Sequence, residues 1–336
     1  MSYCDLHRLG QNIIVIEGRE LILGQQGDVA QIVLHRQGDL LTVIDSGAYS
    51  EDREAIVRAA QELGNVARVV LLNSHGHVDH VGNNDVIYEM AGLAEHYIPK
   101  KDFANLCDQA GFFERLMDES IRYLEMGSPR QTVEKLMRMF PELRANSDRV
   151  AMLEDRFELQ DLTLGGVSFS AFPVGPVLAI PTEGHTIGHL CFLFPQEGFF
   201  YGADEFIGPV APWGDSSPVN QLKACRLVID LVKAGVVKHA ARGHHWGIVS
   251  GEEFAVALEE IIAETEQWEG AMRELLASKP QTVFSLLEAM RARLPHSFGP
   301  NANPIFDTMK VLESCHRLGA TEEGQAPGTL FSLNQA

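Results

Sequence analysis

Cysteine is scarce and scattered in this 336-residue chain. Cys4, Cys107, Cys191, Cys225 and Cys315 are odd in number and never form a Cys-x-x-Cys pair, which excludes a disulfide framework and points to a reducing compartment. Positive charge is also short. With 27 Lys and Arg against 46 Asp and Glu, the net charge of −19 leaves no basic stripe to neutralise phosphates, so nucleic acid is not an expected partner. No apolar run approaches the length of a membrane span, and the N-terminus lacks the basic segment and apolar stretch of a signal peptide. Gly-x-Ser-x-Gly and phosphate-loop patterns are missing, which sets aside serine-nucleophile and nucleotide-hydrolase chemistry. The expectation is a cytoplasmic protein that acts on a small molecule, away from membranes, with a homodimer as the default assembly.

What the chain does have is a crowd of ligands. In Ser74-His75-Gly76-His77-Val78-Asp79-His80-Val81-Gly82-Asn83, four residues with metal-binding side chains fall within six positions. The apolar run Arg68 to Leu72 before them reads as a buried strand, so the cluster sits on a loop at the strand's C-terminal end. Gly76 and Gly82 would give that loop its conformational freedom. His75 and His77 suit one ion, and Asp79 and His80 a second one close by. Two such ions need a bridging anion from elsewhere in the chain.

The surrounding pattern is α/β. Strands are expected at 12–16, 31–34 and 40–44, a helix over 51–63, a helical stretch over 86–93 and a strand at 95–98. Residues 101–146 read as a helical insertion that could roof a site, with Phe112 and Phe113 on its apolar face. Strands return at 157–159, 162–164, 167–169, 190–194 and 198–201. From residue 251 the chain reads as a C-terminal helical region: a capping box at Ser250–Glu253, a break at Pro280, and helices over 282–294 and 304–318. The last dozen or so residues are expected to be disordered. The boundaries drawn are 1–250 for the main domain, with 101–146 inserted as a lid, and 251–336 for the extension.

Three further patches carry metal-binding chemistry where strands give way to loops: Gly184-His185-Thr186, Gly202-Ala203-Asp204 and Gly243-His244-His245. Together with Asp45 and the histidine loop, they occur in an order and spacing that resembles the metallo-β-lactamase superfamily, over roughly 13–249. The resemblance implies an αββα sandwich. It implies that His75, His77 and His185 hold one metal, that Asp79, His80 and His244 hold the second, and that Asp204 bridges. Asp45 would orient a ligand histidine. Two zinc ions per chain are expected, with iron or manganese as alternatives.

The chemistry implied is a metal-dependent hydrolase in which a metal-bridged hydroxide attacks a small ester, lactone or thioester, and Asp79 steers it and relays a proton. Alternatives within the same fold are a mononuclear iron sulfur dioxygenase, a hydrolase with a phosphate, sulfate or halide leaving group, and a non-enzymatic metal binder. Asp204 stands where class B β-lactamases carry a cysteine, which points away from those enzymes. Glu183 stands where many relatives carry proline. His189 and His245 are candidates for supporting the ligands or touching substrate. Phe206, Trp213 and Trp246 join Phe112 and Phe113 as candidate pocket residues. Histidines 7, 35, 96, 239, 296 and 316 have no ligand partners nearby in sequence and read as structural or surface residues.

Overall fold

The computed structural model describes residues 4–19, 29–90, 92–138, 148–206, 208, 215–244, 247–298 and 304–333. Two seven-stranded sheets dominate it. The first holds β1 (Leu6–Leu9), β2 (Ile13–Ile16), β3 (Ile32–Gln37), β4 (Leu40–Ile44), β5 (Arg68–Leu72), β6 (Leu93–Ile98) and β7 (Ala151–Met152) in that spatial order. Its first four strands are antiparallel neighbours, and from β4 to β7 the pairing is parallel. The second sheet holds β8 (Gln160–Leu164), β9 (Val167–Val174), β10 (Val177–Pro181), β11 (Leu190–Phe194), β12 (Phe199–Tyr201), β13 (His239–Ala241) and β14 (Val249–Ser250), again in sequence order across the sheet. Only β12 and β13 pair parallel there.

Both faces of each sheet are covered, and the sequence shows it as unbroken apolar strands. Along β2, Ile13 and Val15 point into the core between the sheets, while Ile14 and Ile16 point to the outer layer. Phe199 and Tyr201 on β12 likewise face the inter-sheet core, and Phe200 the opposite layer. The first sheet's outer face is covered by α1 (Ser50–Leu63) through Ala55, Ile56, Ala59 and Leu63. Next come α2 (Val78–Val81), α3 (Phe103–Cys107), α4 (Gln109–Tyr123) and α5 (Pro129–Met137). The second sheet's outer face is covered by α6 (Pro218–Lys233) and the first half of α7 (Gly251–Ser278). The layer order is therefore α/β/β/α.

The second half of α7 belongs to a different cluster. Trp268, Met272, Leu275 and Leu276 pack with α8 (Val283–Arg293), α9 (Pro304–Arg317) and a small sheet. That sheet contains β15 (Gln281–Thr282), β16 (Thr321–Glu323) and β17 (Leu330–Ser332), with β17 in the middle. One helix thus serves both the sandwich and the extension. No helix among the described residues is long and apolar enough to cross a membrane.

Four expectations change. Residues 84–89 form a 3-10 turn rather than a helix over 86–93, and Leu93 already belongs to β6. Residues 157–159 form no strand; the chain pairs instead at β7 and β8, leaving Leu159 exposed. The tail is ordered through residue 333, because Phe331 is fully buried and β17 zips onto both β15 and β16. Gly82 lies in ordinary right-handed helical space, φ −64. It is needed for closeness rather than freedom, since a Cβ there would sit 2.5 Å from the Ala48 Cα. Of the insertion, residues 139–147 lie outside the described residues.

Candidate metal centre

The ligand-bearing loops meet at one edge of the sandwich because the strands before them are neighbours. β4 and β5 run parallel, so Asp45 and the loop after Leu72 leave the first sheet side by side. β12 and β13 also run parallel, with Tyr201 opposite Ala241, so Asp204 and His244 emerge together from the second sheet. His185 sits in the turn between β10 and β11, closed by the Thr182 amide donating to the His189 carbonyl at 3.0 Å. The Leu190 amide donates to the Ser74 carbonyl at 2.9 Å and ties this turn to the histidine loop.

Two sets of side chains converge there. One comprises His75, His77, His185 and Asp204; the other comprises Asp79, His80, Asp204 and His244. In each, the ligand atoms lie within 4.8 Å of one another, and all are buried. His185 Nε2 is 3.3 Å from His77 Nδ1 and 3.7 Å from Asp204 Oδ2. His80 Nε2 is 3.4 Å from Asp79 Oδ2 and 3.3 Å from Asp204 Oδ1. His244 Nε2 is 3.4 Å from Asp79 Oδ2 and 3.3 Å from Asp204 Oδ2. Asp204 thus turns one oxygen to His80 and the other to His185 and His244.

The far side of three imidazoles is fixed so that Nε2 is the nitrogen turned to the centre. Asp45 takes the Ser74 amide on Oδ1 at 2.7 Å and the Ser74 hydroxyl on Oδ2 at 2.8 Å. With that hydroxyl committed, His75 Nδ1–H donates to Ser74 Oγ at 2.9 Å. His80 Nδ1–H donates to Asp45 Oδ2 at 2.8 Å, and His244 Nδ1–H to the Val29 carbonyl at 3.0 Å. His75 Nε2 is buried with no hydrogen-bond partner. An orphaned imidazole nitrogen facing other imidazoles and a carboxylate costs free energy unless a cation occupies the centre, so the donor set fits a metal ion.

Electrostatics agree. Burial, reinforced by the neighbouring imidazoles, holds His75 and His77 well below the usual histidine value and His185 at about 3. These rings are neutral and available as ligands. Burial would also pull His80 down, but Asp204, Asp79 and Asp45 push it well above, so without a cation this ring carries a proton on Nε2 that an ion would displace. Asp79 is raised, chiefly by burial. Asp204 feels the same burial, yet His244 and His80 hold it well below the carboxylate range. Local strain gathers here too: of the five non-glycine residues with positive φ among those described, Asp45, Glu183 and Ala203 lie at or beside ligands. Glu183 at φ 54 occupies a conformation closed to proline.

Residues 26–236 match the family described as the Metallo-beta-lactamase superfamily. The chain belongs to that superfamily. The superfamily fold recurs across nearly the whole chain in a metallo-beta-lactamase family protein from Thermus thermophilus, at 19% identity and a TM-score of 0.63, covering 97% of this chain and 100% of that one. A beta-lactamase domain protein from Burkholderia ambifaria gives a TM-score of 0.65 at 13% identity, covering 99% and 96%. In sequence, the chain is 28% identical over 167 residues to YobT of Bacillus subtilis (strain 168), an uncharacterised protein. That match spans 49% of this chain and 57% of YobT.

Other candidates fall in different places. Phe112 and Phe113 on α4 lie against the His77 ring, with centroids 5.3 Å and 6.4 Å away. Phe206 is no pocket residue: it is fully buried between the second sheet and its helices, against Phe200 and Phe254. His189 is buried beside the His75 and His185 rings without joining either ligand set. His245, Trp213 and Trp246 lie outside the described residues. Two buried carboxylates went unremarked in the sequence, Glu205 and Asp102. Asp102 accepts from Thr186 Oγ1 at 2.9 Å and Asn105 Nδ2 at 3.1 Å, bracing the His185 turn. A lone acid in a mixed segment carries no signal of this kind until the turn beside it is known.

Proposed function

We propose that this chain is a metal-dependent hydrolase with two zinc ions per subunit, acting on a small ester, lactone or thioester. The observation that carries the reading is the shared carboxylate: Asp204 belongs to both ligand sets, and each set is complete without it being duplicated. His80, Asp79 and His244 are gathered as closely as the first set, which favours two ions over a single iron.

Ions held there would lower the pKa of a water towards neutrality and polarise a carbonyl oxygen. The chain's own residues supply the rest. Asp45, Ser74 and the Val29 carbonyl keep His80, His75 and His244 in the tautomer that presents Nε2. Asp79, beside His80 and His244 in the second ligand set, is placed to take a proton from the attacking water and return it to the leaving group. Phe112 and Phe113 present an apolar wall beside His77, which would exclude water and receive an apolar part of the substrate.

Metal analysis of purified protein should find about two zinc ions per chain. The fully loaded protein should hydrolyse at least one of an activated ester, a lactone and a thioester, and His80→Ala or Asp204→Asn should abolish that turnover. One iron per chain with oxygen uptake on a persulfide would replace this reading with sulfur dioxygenation.

A further inference from the structure

Glu205 follows the shared ligand Asp204, is wholly buried and belongs to neither ligand set. Its Oε2 gathers the His185 amide at 3.0 Å, the Gly184 amide at 3.2 Å and the Thr182 hydroxyl at 3.0 Å. The same oxygen lies 3.3 Å from His189 Nδ1. On the other edge of that ring, the Asp204 amide donates to His189 Nε2 at 3.3 Å. The turn is built around this carboxylate: a Cβ at Gly184 would collide with Glu205 Oε1. An amide oxygen offers two lone pairs, whereas a carboxylate accepts several charge-assisted bonds at once.

We propose that Glu205 and His189 are a positioning pair that locks the His185 turn to the segment carrying Asp204, and so sets the spacing between His185 and the ligand that both sets share. Glu205 fixes the His185 backbone directly. Through His189 it also fixes the Asp204 backbone, because a ring whose Nδ1–H is held by Glu205 and Thr182 must offer Nε2 as an acceptor. The pair touches no substrate and acts only through the ligands. The inference rests on the metal-centre reading above.

Three measurements test it. In metal-free wild-type protein, nitrogen NMR of the histidine rings should find His189 protonated at Nδ1; protonation at Nε2 overturns the pairing. Competition with a chromophoric chelator should show Glu205→Gln and His189→Leu each lowering zinc affinity about 10–100-fold. The double variant should lose little more than the worse single one, since the two act as one unit. Unchanged affinity in the single variants, or additive losses in the double, overturns it. Should a variant fail to fold, the wild-type tautomer still decides. Wild-type protein that takes up no zinc would sink the proposed hydrolase while leaving the tautomer to judge this pair, so the two failures are distinguishable.

Discussion

Asp45 belongs to neither ligand set, yet it fixes two of the histidines. Its carboxylate orders Ser74 and His80 together, and Ser74 in turn orders His75. Asp45→Asn keeps the shape but in either orientation turns an amide NH2 against a donor, the Ser74 amide on one side or the Ser74 hydroxyl and His80 Nδ1–H on the other. Zinc affinity, read by chelator competition, should fall about 10–100-fold while the fold survives. Asp52 offers a test free of the metal. It accepts the Ala48 and Tyr49 amides at 2.9 and 2.8 Å, and burial raises it from 3.8 to about 6 although those amides pull it down. A carboxyl with a raised folded pKa binds more protons folded than unfolded between those values. Stability should therefore fall as pH rises from about 4 to 6, by at most about 3 kcal/mol, and level off above. Asp52→Asn should flatten that slope in urea unfolding at several pH values; parallel slopes would refute it. At this scale the histidine loop was legible because four ligands in six positions have few other uses. Glu205 was not, because its donors are backbone amides on another loop.

Elements are legible in the sequence where one periodicity prevails. The buried strands β2, β5, β11 and β12 and the capped helix α7 stand out as apolar runs or a helical face with a start signal. The failures share a cause. Phe157 and Leu159 look like strand residues, but only Phe157 packs on the inter-sheet core, and neither is in a strand. Phe206, two residues from a ligand, turns instead into the packed layer against Phe200 and Phe254, a direction that sequence distance does not reveal. For α4, the wall against His77 makes a separable prediction. Phe112→Leu should raise KM for long acyl esters more than for short ones with kcat little changed, measured over a chain-length series. Phe113→Ala, which empties an almost fully buried site, should instead cost about 3–5 kcal/mol in unfolding experiments.

At the scale of the molecule, the extension is structural support rather than an appendage. α9 sends Met309 into the cluster formed by Phe112, Phe113, Met117 and Ile121 of α4, together with Val78 of the histidine loop. A chain ended at residue 250 would expose that face of α4 and lose the part of α7 that covers the second sheet. Such a chain should be recovered largely insoluble, and a soluble, zinc-binding fragment would contradict this. The α/β class followed from strands interleaved with helices and the layer order from the resemblance, whereas the ordered tail depended on Phe331 finding a cleft made by α4, α7, α8 and α9.

The bond from His244 to the Val29 carbonyl joins residues 215 apart in the chain. The centre therefore has no local precursor: a ribosome that has finished the histidine loop has made half a site and nothing that can hold it shut. Until β13 docks beside β12, the second ligand set lacks His244, and an ion held there would have incomplete coordination. The complete pair of ligand sets is thus withheld from every partial chain, and arrives only once both sheets are in place.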